Sequence, residues 1–219
     1  MRLDSIDRLE AARYMGVKGT PDDKVMQLIC DAEKKLLESV QPKYVYREAE
    51  LFFSPEGIFV SGIDVPFTGN SINNHLKNCN RAVLLAATLT SEADKLIRRA
   101  VISSTAEALA MDCVCSAAVE RVCNMAEGEI FSGKHADYRT WRFSPGYGDL
   151  PITLQKPLLT YLNAQRRIGL TVSDSFMLVP TKSVTAIIGI SDKPVHKGEH
   201  NCSECEMRES CAFSKINKV

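Results

Sequence analysis

Apolar residues recur along the chain with two spacings, one helical and one typical of strands. Near the N-terminus they recur every three or four residues, which predicts a short helix from Ser5 to Met15 and a longer helix that ends before Pro42. The stretch Thr20-Pro21-Asp22-Asp23 predicts the start of the longer helix, because it offers a hydroxyl cap, an early proline and acids near the positive end of the helix dipole. We interpret the apolar stripe of this helix as core.

Shorter apolar runs in the next part of the chain indicate β-strands. Ser54-Pro55-Glu56-Gly57 predicts a hairpin turn, and Asn70 or Ser71 is expected to cap a short helix that ends near Asn78. The run from Ala82 to Leu89 is almost entirely apolar, which is typical of a strand that is buried on both faces. The strands predicted in this part are Tyr44–Tyr46, Leu51–Phe53, Ile58–Val60 and Ala82–Leu89.

The stretch from Ser91 to about Ala126 has a helical pattern with many small residues. Ser103-Ser104-Thr105 predicts a break that divides it into two helices. Cys113, Cys115 and Cys123 belong to this stretch. Because Cys-Val-Cys places its two thiols on different sides of a helix, we interpret these residues as buried structural thiols rather than metal ligands.

The segment from Tyr138 to Phe143 alternates in a way that predicts a strand, with Arg142 on the face opposite Trp141. Pro145-Gly146 is a turn signal, and glycine at this point lets a ligand approach the backbone closely. The strand end would therefore bring together a guanidinium, a bare backbone segment and the phenol of Tyr147. A planar guanidinium suits a ligand carboxylate, which it binds with two parallel hydrogen bonds. The alternative is a strand, a turn and a solvated arginine.

Further helix and strand signals follow, without a regular strand–helix alternation. A helix is predicted from Lys156 to a stop at Gly169, and strands are predicted at Phe176–Val179 and Val184–Ile190. This order predicts an α+β fold with a mainly antiparallel or mixed twisted sheet and flanking helices. We divide the chain into an N-terminal helical segment (1–42), an α+β domain (43–192) and a cysteine-rich C-terminal tail (193–219).

Composition narrows the possible partners. The 219 residues are 45% hydrophobic and 25% charged, and the formal net charge is zero. Such a chain is typical of a globular protein, and it has neither a basic field for nucleic acid nor a polybasic signal for membranes. No apolar run is long enough to span a bilayer, and the N-terminus lacks the apolar core of a signal peptide. We therefore expect a cytoplasmic protein with no nucleic-acid or membrane partner.

The end of the chain is rich in cysteine. Eight cysteines without a secretion signal are more typical of thiols or metal ligands than of disulfides. Cys202, Cys205 and Cys211 bring three thiols within reach of one metal centre, which would be zinc or an iron–sulfur cluster. A fourth ligand would have to come from His196, His200, a distant cysteine or another chain. A tail with free thiols is the alternative.

Two motifs in combination point to a family. The first is Arg142-x-x-x-Gly146-Tyr147 followed by a helix at Lys156-Pro157, and the second is the run from Asp174 to Ala186 that contains Pro180-Thr181-Lys182-Ser183-Val184. Together they resemble the S-adenosylmethionine-binding activation domain of cobalamin-dependent methionine synthase. The resemblance extends more weakly through Ala86-Ala87-Thr88-Leu89 and Ala117-Ala118-Val119-Glu120, and it covers residues 44–190. The chain is similar to a stand-alone version of that domain.

The resemblance implies a role in the reductive reactivation of a methionine synthase. The domain would bind S-adenosylmethionine over the corrin of the partner's cobalamin, so that one electron, from a donor such as flavodoxin or ferredoxin, and one methyl group restore methylcobalamin. It implies that Arg142 holds the methionine carboxylate and that the backbone from Ser144 to Gly146 lines the groove. Tyr147 would face the corrin and the transferred methyl group as the catalytic residue. Glu120 would pair with the ligand ammonium, and its alternative is a solvated acid on a helix face.

The chain also departs from the family pattern. Gly148-Asp149-Leu150 stands where the fused enzymes usually have a proline and a different loop, and no tyrosine follows Ser191, where the fused domain uses tyrosines to bind its ligand. The cysteine tail is an addition relative to the fused domain. If it holds an iron–sulfur cluster, the cluster would receive the electron; if it holds zinc, the metal would be a structural clasp. Two other functions therefore stay open. The chain would be a reductive activator of another corrinoid methyltransferase, or a non-catalytic module that caps a corrinoid protein.

Overall fold

The computed structural model describes residues 1–132 and 138–195. The α-helices in these ranges are α1 (Arg8–Tyr14), α2 (Asp23–Ser39), α3 (Asn70–Leu76), α4 (Thr90–Ser103), α5 (Thr105–Ile130), α6 (Gln155–Leu162) and α7 (Ala164–Ile168). The strands are β1 (Lys43–Ser54), β2 (Gly57–Val60), β3 (Ile63–Phe67), β4 (Arg81–Thr88), β5 (Thr171–Val172), β6 (Leu178–Val179) and β7 (Ser183–Ile190). No helix in these ranges is long and apolar enough to cross a membrane.

Five of the strands form one sheet in the order β3-β2-β1-β4-β7, and β5 pairs with β6 in a separate antiparallel ladder. The pairs β1–β2 and β2–β3 are antiparallel, and Ser54 stands opposite Gly57 where the predicted hairpin closes. Every residue of β4 after its first is buried, as its apolar sequence predicts. The α+β fold with a mixed, mainly antiparallel sheet and flanking helices is confirmed.

The chain folds as two compact units, each built from separate stretches of sequence. Unit 1 consists of Met1–Val45, Ala87–Glu129 and Ala164–Val184. Unit 2 consists of Tyr46–Ala86, Ile130–Asn163 and the described residues from Thr185 onward. Helices α1 and α2 thus belong to the same unit as α4 and α5. The division into residues 1–42, 43–192 and 193–219 stays a prediction.

Unit 1 has a continuous apolar core to which α2, α4 and α5 contribute. Ile29 and Leu36 of α2 are fully buried in it, as are Val114 and Val122 of α5. The predicted stripe of α2 is therefore core. The same helix also carries a buried acid, Glu33, whose carboxylate accepts hydrogen bonds from the backbone N of Ile6 (2.9 Å) and Nε of Arg8 (2.6 Å). Glu33 thereby ties the start of the chain to α2.

Most helix predictions are confirmed, but their ends differ from expectation. The α2 cap is Asp22, whose side chain accepts from the backbone N of Val25 at 2.8 Å, and not the hydroxyl of Thr20. A carboxylate is an equally good cap, and Asp22 stands directly before the first helical residue. The predicted break at Ser103-Ser104-Thr105 separates α4 from α5. The helix predicted from Lys156 to Gly169 is divided into α6 and α7 because Asn163 adopts a left-handed conformation.

Two strand predictions were wrong in extent. The runs Tyr44–Tyr46 and Leu51–Phe53 belong to one long strand, β1, although the residues between them are mainly polar. Polar residues on an exposed face do not end a strand, so the pattern hid its length. The strand β3 was not predicted because it has only five residues and contains Pro66.

Candidate functional site

Residues 144–150 form a double turn in unit 2, which we call the bend. Its first turn runs from Ser144 to Tyr147 and is closed by a hydrogen bond from the backbone N of Tyr147 to the carbonyl of Ser144 (3.0 Å). Pro145 and Gly146 occupy the central positions, and Gly146 has φ +89°, as a type II turn requires. Two more bonds close the second turn, from Gly146 N to Leu150 O (2.9 Å) and from Leu150 N to Tyr147 O (3.1 Å). The predicted turn is confirmed.

The segment before the bend is less regular than predicted. It pairs with β7 at two isolated bridges, Arg139 with Ile190 and Phe143 with Ile187. The two bridges are four residues apart in this segment but three residues apart in β7, so the segment contains one extra residue. Such an extra residue disrupts a ladder locally in the manner of a β-bulge. The expected strict alternation was therefore wrong, since Thr140 and Phe143 are both buried.

Four rings pack together beside the bend, and we call them the aromatic cluster: His75, Trp141, Phe143 and Tyr147. The Tyr147 ring meets Phe143 and Trp141 edge to face, with centroids 5.2 and 5.7 Å apart. His75 contacts Trp141 at 4.7 Å and Phe143 at 4.9 Å. Edge-to-face pairs fix ring orientation, so the Tyr147 ring has a defined position relative to the bend.

A buried threonine connects this cluster to the sheet. The Oγ1 of Thr140 accepts a hydrogen bond from the backbone N of Gly189 in β7 (2.8 Å) and lies 2.8 Å from Nε2 of His75. Gly189 leaves room for α3, because a Cβ there would lie 2.9 Å from Cδ2 of Leu76. His75 is therefore held by a hydrogen bond and by rings.

The bend contacts the N-terminus of α3 through Asp149. Its Oδ2 accepts from the backbone N of Asn70 (2.6 Å) and its Oδ1 accepts from the backbone N of Ser71 (2.9 Å). Asn70 and Ser71 were expected to cap the helix with their side chains, but here their backbone amides are capped by Asp149 from a distant loop. Hydrogen bonds from Ser71 lead the causes that lower the pKa of Asp149 below its ordinary value, followed by the bond from Asn70, while desolvation opposes them.

Ser144 fixes the other end of the bend. Its Oγ donates to the carbonyl of Thr185 in β7 at 2.7 Å. The Thr185 hydroxyl in turn donates to Oε1 of Gln155 at 2.6 Å, and both of these side chains are buried. The Ser144 side chain thus serves the fold, and a ligand groove along the backbone from Ser144 to Gly146 stays a prediction.

The structure brings four of the predicted site residues together in one loop. Arg142, Ser144 and Tyr147 are half-buried, and Gly146 is exposed. Glu120 lies in α5 of unit 1, half-buried. Burial first, then the charge of Glu10 and then that of Glu120 raise the pKa of Tyr14 to about 12, so Glu120 is within electrostatic reach of Tyr14. Its place beside a ligand ammonium stays a prediction.

The cysteines of α5 are structural, as predicted. Cys113, Cys115 and Cys123 are buried. Burial is the main cause that raises the pKa of Cys113, and it raises that of Cys115 to about 12, so both of these two thiols are less reactive than a free thiol. The described residues contain no group of side chains that could hold a metal ion. Cys202, Cys205 and Cys211, with His196 and His200, lie outside the described residues, so the tail metal site stays a prediction.

The second family-like motif forms a polar cluster in unit 1 that sequence reasoning missed. The Nζ of Lys182, whose side chain is 14% exposed, lies 2.9 Å from Oδ1 of Asp112 and donates to Oγ of Ser116 at 2.9 Å. Thr181 Oγ1 donates to Asp94 Oδ1 at 2.5 Å, and Ser183 Oγ lies 2.8 Å from the hydroxyl of Thr88. The side chains of this motif are bonded to residues of helices α4 and α5 and of strand β4.

Asp149 and His75 were also missed as members of the candidate site. Asp149 had been noted only as a departure from the family pattern, and His75 lies in the polar run Asn73-Asn74-His75. The available signal was the pair of glycines at 146 and 148, which indicates a loop in close contact with another element. Nothing in the sequence indicated that this element is α3.

Comparisons with known proteins agree with the motifs. Residues 85–197, a little over half of the chain, match a family model described as "Vitamin B12 dependent methionine synthase, activation domain". Among solved structures the chain is similar to one described as "Crystal Structure of the MetH Reactivation Domain bound to AdoHcy". The TM-score is 0.65 and the sequences are 12% identical, over 88% of this chain and 76% of that one. At this identity the likeness concerns the fold. No curated protein matched the chain.

Proposed function

We propose, from the premise that this chain belongs to the family of vitamin B12-dependent methionine synthase activation domains, that it binds S-adenosylmethionine at the bend and reactivates a cobalamin-dependent methionine synthase. The observation that carries the proposal is the bend together with Arg142, two residues before it. A half-buried guanidinium, an exposed glycine at φ +89° and a phenol oriented by neighbouring rings occur within six residues of sequence, from Arg142 to Tyr147. The matching fold, found in a reactivation domain bound to AdoHcy, supports it.

The chemistry of the bend fits an amino-acid end. Arg142 supplies a permanent cation for the methionine carboxylate, with the bidentate geometry that a guanidinium allows. The amides of Gly146 and Tyr147 already donate inside the bend, so its backbone offers carbonyl oxygens to a ligand. Carbonyl oxygens suit the ligand ammonium, which is a donor.

Tyr147 is proposed to face the methyl group that is transferred. Its ring is packed edge-on against Phe143 and Trp141, which limits its movement, and positioning is the main contribution that a protein makes to transfer from a reactive sulfonium. One electron and the methyl group would convert cob(II)alamin on the partner to methylcobalamin, while the methyl–sulfur bond breaks and S-adenosylhomocysteine leaves. The electron would come from flavodoxin or ferredoxin.

The carboxylate contact is tested by the binding of S-adenosylmethionine to Arg142→Ala in isothermal titration calorimetry. We expect a loss of about 1.5–3 kcal/mol in binding free energy, the range for a hydrogen bond to a charged group. Arg166→Ala is the matched control, because Arg166 is an exposed arginine of α7 outside the candidate site. Unchanged binding by Arg142→Ala would remove Arg142 from the site.

Reactivation itself is tested by mixing the chain with a protein that holds cob(II)alamin, a reductant and S-adenosylmethionine. The proposal requires methylcobalamin absorption to appear only when all components are present. Activity with a different corrinoid methyltransferase, but not with methionine synthase, would favour the activator alternative. Binding to the corrinoid protein without consumption of S-adenosylmethionine would favour the capping module.

The tail remains part of the proposal on sequence grounds. Cys202, Cys205 and Cys211 are proposed as ligands of an iron–sulfur cluster or of zinc, with the cluster as a local electron acceptor and the zinc as a clasp. A visible iron–sulfur absorption of the purified chain separates these two metals. We also propose that the tail from residue 193 is a separate region and that the protein acts in the cytoplasm.

A further inference from the structure

The side chain of Asp149 joins the bend to the start of helix α3. Both carboxylate oxygens are used, one on the backbone N of Asn70 and one on that of Ser71. The residue before the helix, Gly69, has no side chain with which to cap it. One carboxylate from a distant loop therefore satisfies two amides that would otherwise need water.

Two glycines allow the bend and α3 to approach this closely. A Cβ on Gly69 would lie 2.5 Å from Oδ1 of Asp149, and a Cβ on Gly148 would lie 2.6 Å from Oγ of Ser71. Both glycines have positive φ, +127° and +55°, which other residues rarely adopt. Leu150, directly after Asp149, is 2% exposed. The contact is thus built from both sides, and it fixes the bend two residues beyond Tyr147.

The opposite end of α3 contacts the same bend through the aromatic cluster. His75, in the last turn of α3, packs on Phe143 and Trp141, and both of those rings pack on Tyr147. Helix α3 therefore supports the bend at two places, by a carboxylate at its start and by rings at its end. Loss of the carboxylate contact would therefore remove one of these two supports from the bend.

From this arrangement we infer that Asp149 is a positioning residue, which sets the conformation of the Gly146–Tyr147 bend for ligand binding by holding it against α3. The inference rests on the proposed function, because it concerns the same site. The competing explanation is that Asp149 only caps α3, in which case its loss lowers stability and leaves the bend and its ligand affinity unchanged.

Two variants remove the contact from opposite sides. Asp149→Asn keeps the shape of the side chain but offers a single carbonyl oxygen to two amides. Asn70→Pro removes one of the two donors at the first helical position, where proline is well tolerated. Asp64→Asn is the control, because Asp64 is an exposed acid of β3 in the same unit and its loss changes the charge equally.

Two measurements distinguish positioning from capping. The first is the affinity for S-adenosylmethionine, measured by calorimetry well below the unfolding temperature. The second is the fluorescence of Trp141, the single tryptophan of the chain, whose ring centroid lies 5.7 Å from that of Tyr147. Trp141 emission therefore reports the conformation of the bend in the absence of any ligand.

We expect Asp149→Asn to bind S-adenosylmethionine about tenfold more weakly, which is the size of effect that the loss of charge-assisted hydrogen bonds produces. We also expect the variant to shift Trp141 emission. Asn70→Pro should have a smaller effect of the same kind. The double variant should lose less affinity for S-adenosylmethionine than the product of the two single losses, because both substitutions remove the same hydrogen bond. Asp64→Asn should match the wild type.

The inference is overturned if Asp149→Asn lowers the unfolding temperature but keeps wild-type affinity and Trp141 emission. If Asp149→Asn does not fold, Asn70→Pro decides, and wild-type affinity with unchanged emission in that variant overturns the inference as well. Failure of the wild type to bind S-adenosylmethionine would instead overturn the proposed function. In that case Trp141 emission in the two variants still decides whether Asp149 sets the bend.

Discussion

Two short segments carry the resemblance to the activation domains, and they are built differently. In the segment Pro180–Ser183 of unit 1, the side chains of residues 181, 182 and 183 are bonded to Asp94, to Asp112 and Ser116, and to Thr88. In the bend of unit 2, the side chains of Ser144 and Asp149, near its two ends, bond to the rest of the unit, while Gly146 between them is exposed.

This difference separates a motif whose polar side chains hold the fold together from one that we propose as a ligand site. Lysine, serine and threonine in Pro180–Ser183 look like binding groups in the sequence, but their polar atoms are used by the protein. The bend shows less polar chemistry in its sequence, yet its fixed ends and exposed centre suit a ligand. A family motif therefore indicates that two proteins are related. The hydrogen-bond partners of its side chains are needed to decide which segment is the better candidate for a ligand site.

The largest expected effect is on stability in unit 1. Lys182→Met keeps the apolar stem but removes the ammonium from Asp112 and Ser116, and we expect a loss of about 2 kcal/mol in the free energy of unfolding. This is less than for a fully buried pair, because the Asp112 side chain is 50% exposed and regains water. Urea denaturation measures the change, with the exposed Lys18→Met as control.

The comparison requires that Lys182→Met still binds S-adenosylmethionine like the wild type. A variant that keeps its stability but loses ligand affinity would show that Pro180–Ser183 is itself a binding segment, and the contrast between the two segments would be wrong.

A smaller effect is expected for Gly146→Ala in the bend. At φ +89° an alanine is strained by about 1 kcal/mol, and its Cβ would lie 3.2 Å from Cδ1 of Ile152. Gly16→Ala is a close control, since Gly16 has φ +85° but nothing within 4 Å of a Cβ. We expect similar strain in both variants by thermal unfolding and weaker S-adenosylmethionine binding in Gly146→Ala alone. Equal binding by both would mean that the centre of the bend does not contact the ligand.

The smallest effect is a pH dependence of the bend. The pKa of Asp149 is lowered below 3.8 by the bonds from Ser71 and Asn70, so the folded state binds this proton more weakly than the unfolded state. The contact with α3 is then fully present above pH 3.8 and is lost as the pH falls through the lower, folded-state pKa. Trp141 emission should change in that acidic range in the wild type and not in Asp149→Asn.

The same titration needs one further control. The His75 ring contacts Trp141 directly, so the acid titration is repeated in His75→Gln to separate the two groups. A transition that survives in Asp149→Asn but disappears in His75→Gln would assign the pH dependence to the histidine.

Much of the local structure could be predicted from the sequence. The buried strand β4, the break between α4 and α5, the hairpin at Ser54–Gly57 and the turn at Pro145-Gly146 all follow from residues next to one another. Errors came where local signals were weak. Polar residues hid the length of β1, and an extra residue opposite β7 broke the alternation around Thr140.

The sequence by itself determined most of the elements and showed which segment has a guanidinium, a glycine and a phenol. Tertiary structure alone decided which side chains hold that loop: Asp149 reaches amides 78 and 79 residues away, and His75 lies beside a threonine 65 residues away. The physical reason is that periodicity and turn preference act between near neighbours. A hydrogen bond between distant residues leaves no periodic trace, because its partners meet only when the elements that carry them have packed.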